Sequence, residues 1–322
     1  MTVLNQQTFL ENWTILGGPD GGTVLAIAIG DGPQQTAFIA TEVGIYRSHV
    51  TVSGEWNWER LTDLPGGATA IALSCDFSKD RTLIVGTSSG PFVSFDGGDT
   101  WRLGTLPRTS SHVIALAVSP QFTEDRIAFA GTLEDGILIS TDRGCSWAAW
   151  NFGLYDLEVL ALAVSPNFAV DEAVFASTTT GLFYSYNGGR AWRELDFPAE
   201  AQPILSLAVS PGFAGDGIVY AGTESAGIFL SNNRGQSWQS LESSLAVSCV
   251  NAIVFDGDAE RIFVAADDAI YYANDGGKHC RSVLDVPGIL CLAVNRTIGL
   301  AGIGFDGEPG LLTLTTKQFA AL

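Results

Sequence analysis

The side chains of this chain with the clearest chemical potential are its carboxylates. Aspartate and glutamate together number 35, against 16 lysines and arginines, so the formal net charge is −19. Two carboxylates that flank a sugar can hydrolyse a glycosidic bond, and six to eight converging oxygens can bind calcium. The spacing of the acids singles out neither such a pair nor such a cluster. We therefore assign no catalytic residue, no cofactor and no metal ligand, and a structural calcium ion stays an open alternative.

Histidine and cysteine add little to that list. The three histidines, His49, His112 and His279, are far apart in repeat position, which argues against a metal site built from histidine. The chain has five cysteines, an odd number, and no two of them form a Cys-x-x-Cys motif. This usage is typical of free thiols in a reducing compartment. Since the N-terminal segment also lacks the basic and apolar regions of a signal peptide, we expect a cytoplasmic location.

Composition also excludes two classes of partner. Only three lysines are present, Lys79, Lys278 and Lys317, whereas nucleic-acid binding needs cations that displace counterions from phosphates. No apolar run approaches the ~18 residues of a membrane-spanning helix. We therefore expect neither nucleic-acid binding nor membrane insertion.

The elements that must position the acids are internal repeats. The segments SFDGGDTW, STDRGCSW, SYNGGRAW and SNNRGQSW are four copies of one motif, ANDGGKHC is a fifth, and a degenerate sixth ends at Trp58. Their final positions, 58, 101, 147, 192, 238 and 280, lie 42 to 46 residues apart. Each repeat contains short runs rich in Val, Ile, Phe and Tyr, bounded by Gly, Pro, Asp or Ser. Such runs are typical of β-strands.

Four short strands in each unit of ~45 residues predict a β-propeller blade. The first three strands occur seven times, but no Trp-bearing fourth strand follows the last copy. Residues 11–16 have the character of that missing strand. We therefore predict a single all-β domain over 1–322: a seven-bladed propeller of four-stranded blades, with residues 11–16 completing blade seven, whose other strands lie within 288–316. This closure leaves no unpaired sheet edge between the first and last blades.

The repeated motif, S-x-D/N-x-G-x-S/T-W, resembles the Asp-box, also called the bacterial neuraminidase repeat (BNR). Asp96, Asp142, Asn187 and Asn232 are expected to accept backbone N–H groups in the turn between the third and fourth strands. The tryptophan is expected to be buried against the neighbouring sheet. A second repeated segment, S-P-x-F-x-x-D, is expected to end the first strand and to plug the blade with its phenylalanine. We interpret both motifs as structural.

Asp-box propellers include sialidases and xyloglucan-degrading glycoside hydrolases. The resemblance would imply three clamping arginines at the centre of a sialidase, but none of the 13 arginines lies in an inner strand, so the chain is similar to a non-sialidase branch. The xyloglucan-degrading class would imply two tandem propellers, and one is predicted here. The pattern is also similar to photosystem II assembly factors, which use a basic patch that this chain lacks. A carbohydrate-active role, lectin-like or hydrolytic, stays open as the alternative, and a glycan remains a candidate ligand.

The acids concentrate in one set of loops. We label the strands of each blade A to D from the centre outward, so that B–C and D–A loops share one face. Acids on this face keep the protein soluble or bind a protein partner with a basic surface or segment. We favour a non-catalytic interaction or assembly scaffold. The predicted partner-binding residues are Glu42, Glu134, Asp135, Phe152, Tyr155, Glu158, Glu224, Asp267, Asp268, Asp306 and Glu308.

One loop of this face, the D–A loop of blade three, is richer in aromatic residues. It reads Trp150-Asn-Phe152-Gly-Leu-Tyr155. Trp150 occupies the position that Leu61, Leu195 and Leu241 hold in other repeats, so we expect it to belong to the core. Phe152 and Tyr155 have no such counterpart, and we expect them to contact a partner or to stack on a sugar.

Overall fold

The repeats fold into seven sheets that form the blades of a propeller. The computed structural model describes residues 13–16, 22–31, 36–50, 56–61, 64, 67–108, 110–241, 249–257, 261–295, 298–304 and 310–315. Each of the seven sheets has four strands, and neighbouring strands pair in antiparallel fashion. The predicted seven-bladed β-propeller is therefore confirmed.

Blades one to six each use four consecutive strands. The strands of blades one to three are β2 (Val24–Ile29), β3 (Thr36–Thr41), β4 (Gly44–Val50), β5 (Trp56–Arg60); β6 (Ala70–Leu73), β7 (Leu83–Thr87), β8 (Gly90–Ser94), β9 (Arg102–Leu103); β10 (Val113–Val118), β11 (Ala128–Thr132), β12 (Ile137–Ser140) and β13 (Ala148–Ala149). The strands of blades four to six are β14 (Val159–Val164), β15 (Val174–Thr178), β16 (Leu182–Ser185), β17 (Arg193–Glu194); β18 (Ile204–Val209), β19 (Val219–Thr223), β20 (Ile228–Ser231), β21 (Gln239–Ser240); β22 (Val250–Phe255), β23 (Ile262–Ala266), β24 (Ile270–Ala273) and β25 (Arg281–Leu284).

Blade seven joins the two ends of the chain. It contains β26 (Ile289–Val294), β27 (Ile298–Ile303), β28 (Gly310–Thr315) and the N-terminal strand β1 (Trp13–Leu16). Strand β1 pairs antiparallel with β28, with Trp13 opposite Leu314 and Leu16 opposite Leu311. The predicted closing strand is thus formed by 13–16; residues 11 and 12 lie outside the described part.

The core lies between the blades, because the second strand of each blade is buried on both faces. Every residue of β7, β11, β15, β19 and β23 is buried, and continuous apolar runs of this kind suit a strand covered on both sides. Side chains also bind one blade to the next. Ser206 donates to the carbonyl of Val250 at 3.0 Å, and Asn251 donates to the carbonyl of Ile289 at 2.8 Å. These bonds satisfy inner-strand backbone groups and hold neighbouring blades together.

The S-P-x-F-x-x-D segments form single helical turns that the sequence did not predict. They are α1 (Phe77–Asp80), α2 (Phe122–Asp125), α3 (Phe168–Asp171) and α4 (Phe213–Asp216). In α3, the Asp171 carboxylate accepts bonds from Ser165 Oγ at 2.7 Å and from the Ala173 amide at 3.1 Å, and Phe168 is buried. The predicted plug is therefore correct. One further short element is the 3-10 helix Ala199–Ala201.

The Asp-box turn uses its carboxylate internally. Asp142 accepts bonds from Ser140 Oγ at 2.8 Å, from the Ser146 amide at 2.8 Å and from Ser146 Oγ at 2.6 Å. Gly144 has φ +86° in this turn, a conformation that glycine adopts without strain, and Trp147 is buried. Burial opposes ionisation of Asp142, but the bonds from Ser146 and Ser140 outweigh it and lower the pKa of this carboxyl. The structural interpretation of the motif is confirmed.

One assignment within the motif was wrong. In the fifth blade the acceptor is Asn233 and not Asn232: its Oδ1 accepts from Ser231 Oγ at 2.9 Å and from the Ser237 amide at 3.0 Å. Asn232 occupies the variable position that Thr141 holds in blade three. The motif requires Asp or Asn two residues after the serine, which is Asn233 here. Asn232 was assigned because the two asparagines are adjacent.

Candidate functional site

The loops separate onto two faces. B–C loops contact D–A loops: Asn151 Nδ2 donates to the Asp135 carbonyl at 2.8 Å, and the Gly136 amide donates to the Leu157 carbonyl at 3.0 Å. A–B loops contact C–D loops, as where Arg143 donates to the Thr123 carbonyl at 3.0 Å. We call the B–C and D–A side the acidic face and the other side the Asp-box face. The predicted division of the loops is confirmed.

Four predicted glutamates stand exposed and uncompensated on the acidic face. No ion pair involves any of them within the described residues. The side chains of all four are exposed to solvent. Unpaired carboxylates project a negative potential that is screened over about 8–10 Å at physiological salt. The four residues are Glu42, Glu134, Glu158 and Glu224.

Asp135 differs from these glutamates because it is paired inside the loop region. Its carboxylate accepts bonds from Arg108 at 2.7 Å and from Ser111 Oγ at 2.6 Å. The side chain is only 11% exposed, whereas that of Arg108 is 71% exposed. The structure therefore gives Asp135 a supporting role within the face.

The remaining predicted acids contact neighbouring side chains or lie outside the described residues. Asp268 accepts a bond from the Tyr271 hydroxyl at 3.0 Å, and burial together with this bond raises the pKa of Tyr271 to about 12. Burial, followed by a hydrogen bond to exposed Asp267, raises the pKa of the Cys249 thiol to about 12. Asp306 and Glu308 belong to 305–309, outside the described part of the chain.

The Asp-box face carries charge of both signs in contact. Arg190 pairs with Glu172 at 3.1 Å, and Lys79 pairs with Asp76 at 2.9 Å. Arg47 connects blades one and two by binding Asp99 at 2.7 Å and Glu59 at 3.0 Å. Asp76, Asp99 and Glu172 are therefore compensated by a neighbouring cation, in contrast to the four exposed glutamates of the acidic face.

The D–A loop of blade three, residues 150–158, carries three exposed apolar side chains on the acidic face. Phe152 is 80% exposed and Tyr155 is 66% exposed, and Leu157 is also exposed. Trp150, as predicted, packs against the core and is partly buried. The exposed rings therefore form a surface feature of their own, which we call the aromatic loop.

The backbone of the aromatic loop is fixed at several points. The Trp192 amide donates to the Phe152 carbonyl at 2.8 Å, and the Trp192 indole N–H donates to the Trp150 carbonyl at 2.9 Å. Gly153, the residue after Phe152, has φ +86°. A Cβ at this position would lie 2.1 Å from the Trp192 carbonyl oxygen. The loop therefore presents Phe152 on a fixed backbone.

Asp156 anchors the other half of the loop, and sequence reasoning missed this role. Its carboxylate accepts bonds from Thr179 Oγ1 at 2.9 Å and from Thr180 Oγ1 at 2.7 Å, and from the Glu158 amide at 3.1 Å. Partial burial opposes ionisation, but the bonds from Thr180, Glu158 and Thr179 lower the pKa of Asp156 to about 2. The three consecutive threonines at 178–180 were the available signal.

Tyr155 is oriented by its ring, which meets Phe183 edge to face with centroids 5.2 Å apart. The exposed Glu194 carboxylate lies beside Phe183, because a Cβ at Gly181 would lie 3.1 Å from the Phe183 ring and 3.3 Å from Glu194 Oε1. The interaction of Glu194 with the Tyr155 hydroxyl, together with burial, raises the pKa of Tyr155 to about 12.

One sequence pattern resembles a nucleophile motif without having its structure. Residues 86–90 read Gly-Thr-Ser-Ser-Gly, which fits the letters G-x-S-x-G. The segment forms the turn between the paired strands β7 and β8, whereas a nucleophile elbow joins a strand to a helix. Ser88 is thus a hairpin residue.

Within the described ranges, no group of three or more His, Cys, Asp or Glu side chains is placed to hold a metal ion. None of the helices in the same ranges has the length and apolar character needed to cross a lipid bilayer.

Comparisons with known proteins agree with this architecture. The BNR/Asp-box repeat model matches residues 92–103, the first complete copy of the motif. No curated protein sequence matches the chain significantly.

Solved structures share the fold at low sequence identity. A GH74 xyloglucanase from Xanthomonas campestris superposes with a TM-score of 0.71 at 18% identity, over 96% of this chain and 54% of its own. A structure of YCF48 bound to D1 peptide gives 0.69 at 17% identity, over 95% of this chain and 97% of its own. A chain of the mitotic checkpoint complex gives 0.70 at 13% identity, over 94% and 90%. This chain therefore spans about half the length of the xyloglucanase, and these likenesses concern the fold.

Proposed function

For this seven-bladed Asp-box β-propeller, we propose a role as a non-catalytic protein-interaction or assembly scaffold whose acidic face binds a basic partner. The observation that carries the proposal is the contrast between the two faces. Glu42, Glu134, Glu158 and Glu224 are exposed without ion pairs in the described part of the chain, whereas the Asp-box face pairs Asp76, Asp99 and Glu172 with Lys or Arg.

The exposed negative charge of the acidic face indicates what kind of partner this face would attract. Uncompensated charge of one sign attracts a partner of the opposite sign over a longer range than paired charges do, and it speeds association at low salt. A solubilising role alone would be served equally well by acids on both faces. The proposed partner therefore carries a lysine- or arginine-rich surface or segment.

Propellers of similar shape bind proteins, which supports the proposal. The neighbouring structures include YCF48 bound to D1 peptide and a chain of the mitotic checkpoint complex. A fold hosts many unrelated functions, so the argument for this chain rests on its own exposed glutamates. The single-domain organisation over 1–322 and the cytoplasmic location stay predictions, which limited proteolysis and cell fractionation would test.

The repeated carboxylates favour a scaffold over an enzyme. Asp142 is bound to Ser140 and Ser146 within its own turn, and Asp96 is bound in the same way to Ser94 and Thr100. Burial opposes ionisation of Asp96, yet those hydrogen bonds lower its pKa to about 2. A general acid needs a pKa near the working pH, so these residues suit structure and not proton transfer.

A carbohydrate-active role is the second candidate, and one observation favours it. Phe152 is an exposed ring on a fixed loop, which is a suitable surface for the apolar face of a sugar, and a xyloglucanase shares the fold. A glycan array and a panel of fluorogenic glycosides test it. Specific glycan binding or clear turnover would replace the scaffold proposal.

The decisive experiment reverses charge on one face at a time. Glu134→Lys/Glu158→Lys changes the acidic face, and Glu124→Lys/Glu172→Lys makes the same change in net charge on the Asp-box face. The probe is a fluorescent nona-arginine peptide, with affinity measured by anisotropy at 50 and 300 mM salt.

We expect the first variant to bind about fivefold more weakly for each reversed charge at low salt, because an exposed charge pair contributes on the order of 1 kcal/mol. The second variant should change affinity little. Equal losses in the two variants, or binding that is insensitive to salt, would contradict the proposal.

A further inference from the structure

We propose that the aromatic loop is an arginine-recognition site, in which a guanidinium group of the partner stacks on Phe152 and Tyr155. The inference rests on the proposed function and names the chemistry of the partner segment: arginine in particular, and not positive charge in general.

The first argument is exposure combined with rigidity. Phe152 is 80% exposed, although its backbone carbonyl is held by the Trp192 amide at 2.8 Å. The Tyr155 ring packs edge to face against Phe183. An aromatic surface that is already ordered loses little conformational entropy when a partner binds.

The second argument comes from how this protein covers its other rings. Arg234 lies over Phe213 at 5.1 Å, Arg281 over Tyr272 at 5.6 Å, and Arg190 over Trp150 at 5.8 Å. The last contact is made to the aromatic loop itself. No such cation covers Phe152 or Tyr155 in the described part of the chain, so a guanidinium supplied by a partner would complete a pattern the molecule already uses.

The third argument is charge complementarity around the rings. Exposed Glu194 lies beside Phe183, the ring that Tyr155 contacts, and Glu158 is exposed at the end of the same loop. A guanidinium group can stack flat on a ring and donate in its plane to a carboxylate, whereas an ammonium is a compact and strongly hydrated charge. Ring and carboxylate together therefore favour arginine over lysine.

The test compares nona-arginine with nona-lysine on the intact chain. Phe152→Ser removes the ring, Phe152→Leu keeps apolar area without a ring, and Phe152→Trp keeps an aromatic face. Tyr186→Ser is the matched control, because Tyr186 is a 57% exposed aromatic residue on the Asp-box face. Each variant is first checked for an unchanged midpoint of unfolding in urea.

Phe152→Ser and Phe152→Leu should each weaken nona-arginine binding about fivefold, with less than a twofold effect on nona-lysine. Phe152→Trp and Tyr186→Ser should leave binding within twofold. Equal effects of Phe152→Ser on both peptides, or none on either, would overturn the inference while leaving the face-reversal result, and with it the proposed function, intact. Loss of xyloglucan-oligosaccharide binding in Phe152→Ser, with nona-arginine binding unchanged, would overturn it in favour of a sugar site.

Discussion

The two D–A loops that flank blade four use an aromatic residue in opposite ways. In the aromatic loop before it, Phe152 is 80% exposed; in the loop after it, residues 195–203, Phe197 is 6% exposed. Phe197 packs against Phe229 and Trp238, with ring centroids 5.0 and 5.3 Å away. Both loops lie on the acidic face and lead into an inner strand. Being a D–A loop therefore does not determine whether its phenylalanine is buried or exposed. We infer that Phe197 serves stability and Phe152 serves recognition.

Phe197→Ala should produce the largest effect on stability. Truncating a buried phenylalanine removes its burial and leaves a cavity, which costs about 3–5 kcal/mol. Urea unfolding followed by tryptophan fluorescence measures the loss, with Phe197→Leu as a control that keeps most of the volume. A loss below 1 kcal/mol for Phe197→Ala would show that the two rings do not differ in their contribution to the core.

Gly153→Ala should destabilise the protein by about 1–3 kcal/mol. The residue has φ +86°, and the new Cβ would meet the Trp192 carbonyl oxygen at 2.1 Å, so the backbone must shift. Gly215→Ala is the control, since its Cβ meets nothing within 4 Å. The same urea titration compares them, and equal stability of the two variants would disprove the idea that the aromatic loop is rigid.

Asp156→Asn should cost about 1 kcal/mol at pH 7, because hydrogen bonds to an ionised group are lost. The pKa of Asp156 is lowered from 3.8 to about 2, so its contribution is present above pH 4 and disappears as the pH falls toward 2. Wild type and variant should therefore converge in stability over that range. Asp196→Asn, in the other loop, is the control; Asp196 is exposed, and this substitution should change stability at pH 7 little.

Phe152→Ser should have the smallest effect on stability, within about 0.5 kcal/mol, since it changes an exposed side chain. Its effect should be seen in partner binding and not in the urea midpoint. A loss of stability comparable to that of Phe197→Ala would show that Phe152 is a core residue. It would contradict the distinction between a stabilising Phe197 and a partner-binding Phe152.

Much of the fold could be predicted because each sequence repeat corresponds to one blade. Trp101, Trp147, Trp192 and Trp238 recur at nearly constant spacing, which revealed both the blade length and the need for a closing strand. The four helical turns were not predicted, because a four-residue turn has no periodicity to detect. Their serine–aspartate bonds, as between Ser165 and Asp171, become apparent only when the strand ends are in place.

The sequence was enough to predict which loops share the acidic face, but not which acids on that face are exposed and which are paired. Loop order placed Glu134 and Asp135 together, yet the structure exposes one and pairs the other with Arg108 and Ser111. These partners come from the preceding D–A loop, 24 and 27 residues away, so local sequence gives no warning of the pairing. The anchoring role of Asp156 was missed because its threonine partners lie 23 and 24 residues further along the chain, so the threonine run could not be linked to Asp156 without the fold.

Carboxyl footprinting tests the central claim most directly. The chain is labelled with a carbodiimide and a neutral amine, with and without saturating nona-arginine, and the modification of each acid is read by mass spectrometry. If the acidic face is the binding face, the peptide should protect Glu42, Glu134, Glu158 and Glu224 and leave Glu124 and Glu172 reactive. Protection centred on Glu124 and Glu172 would contradict the account.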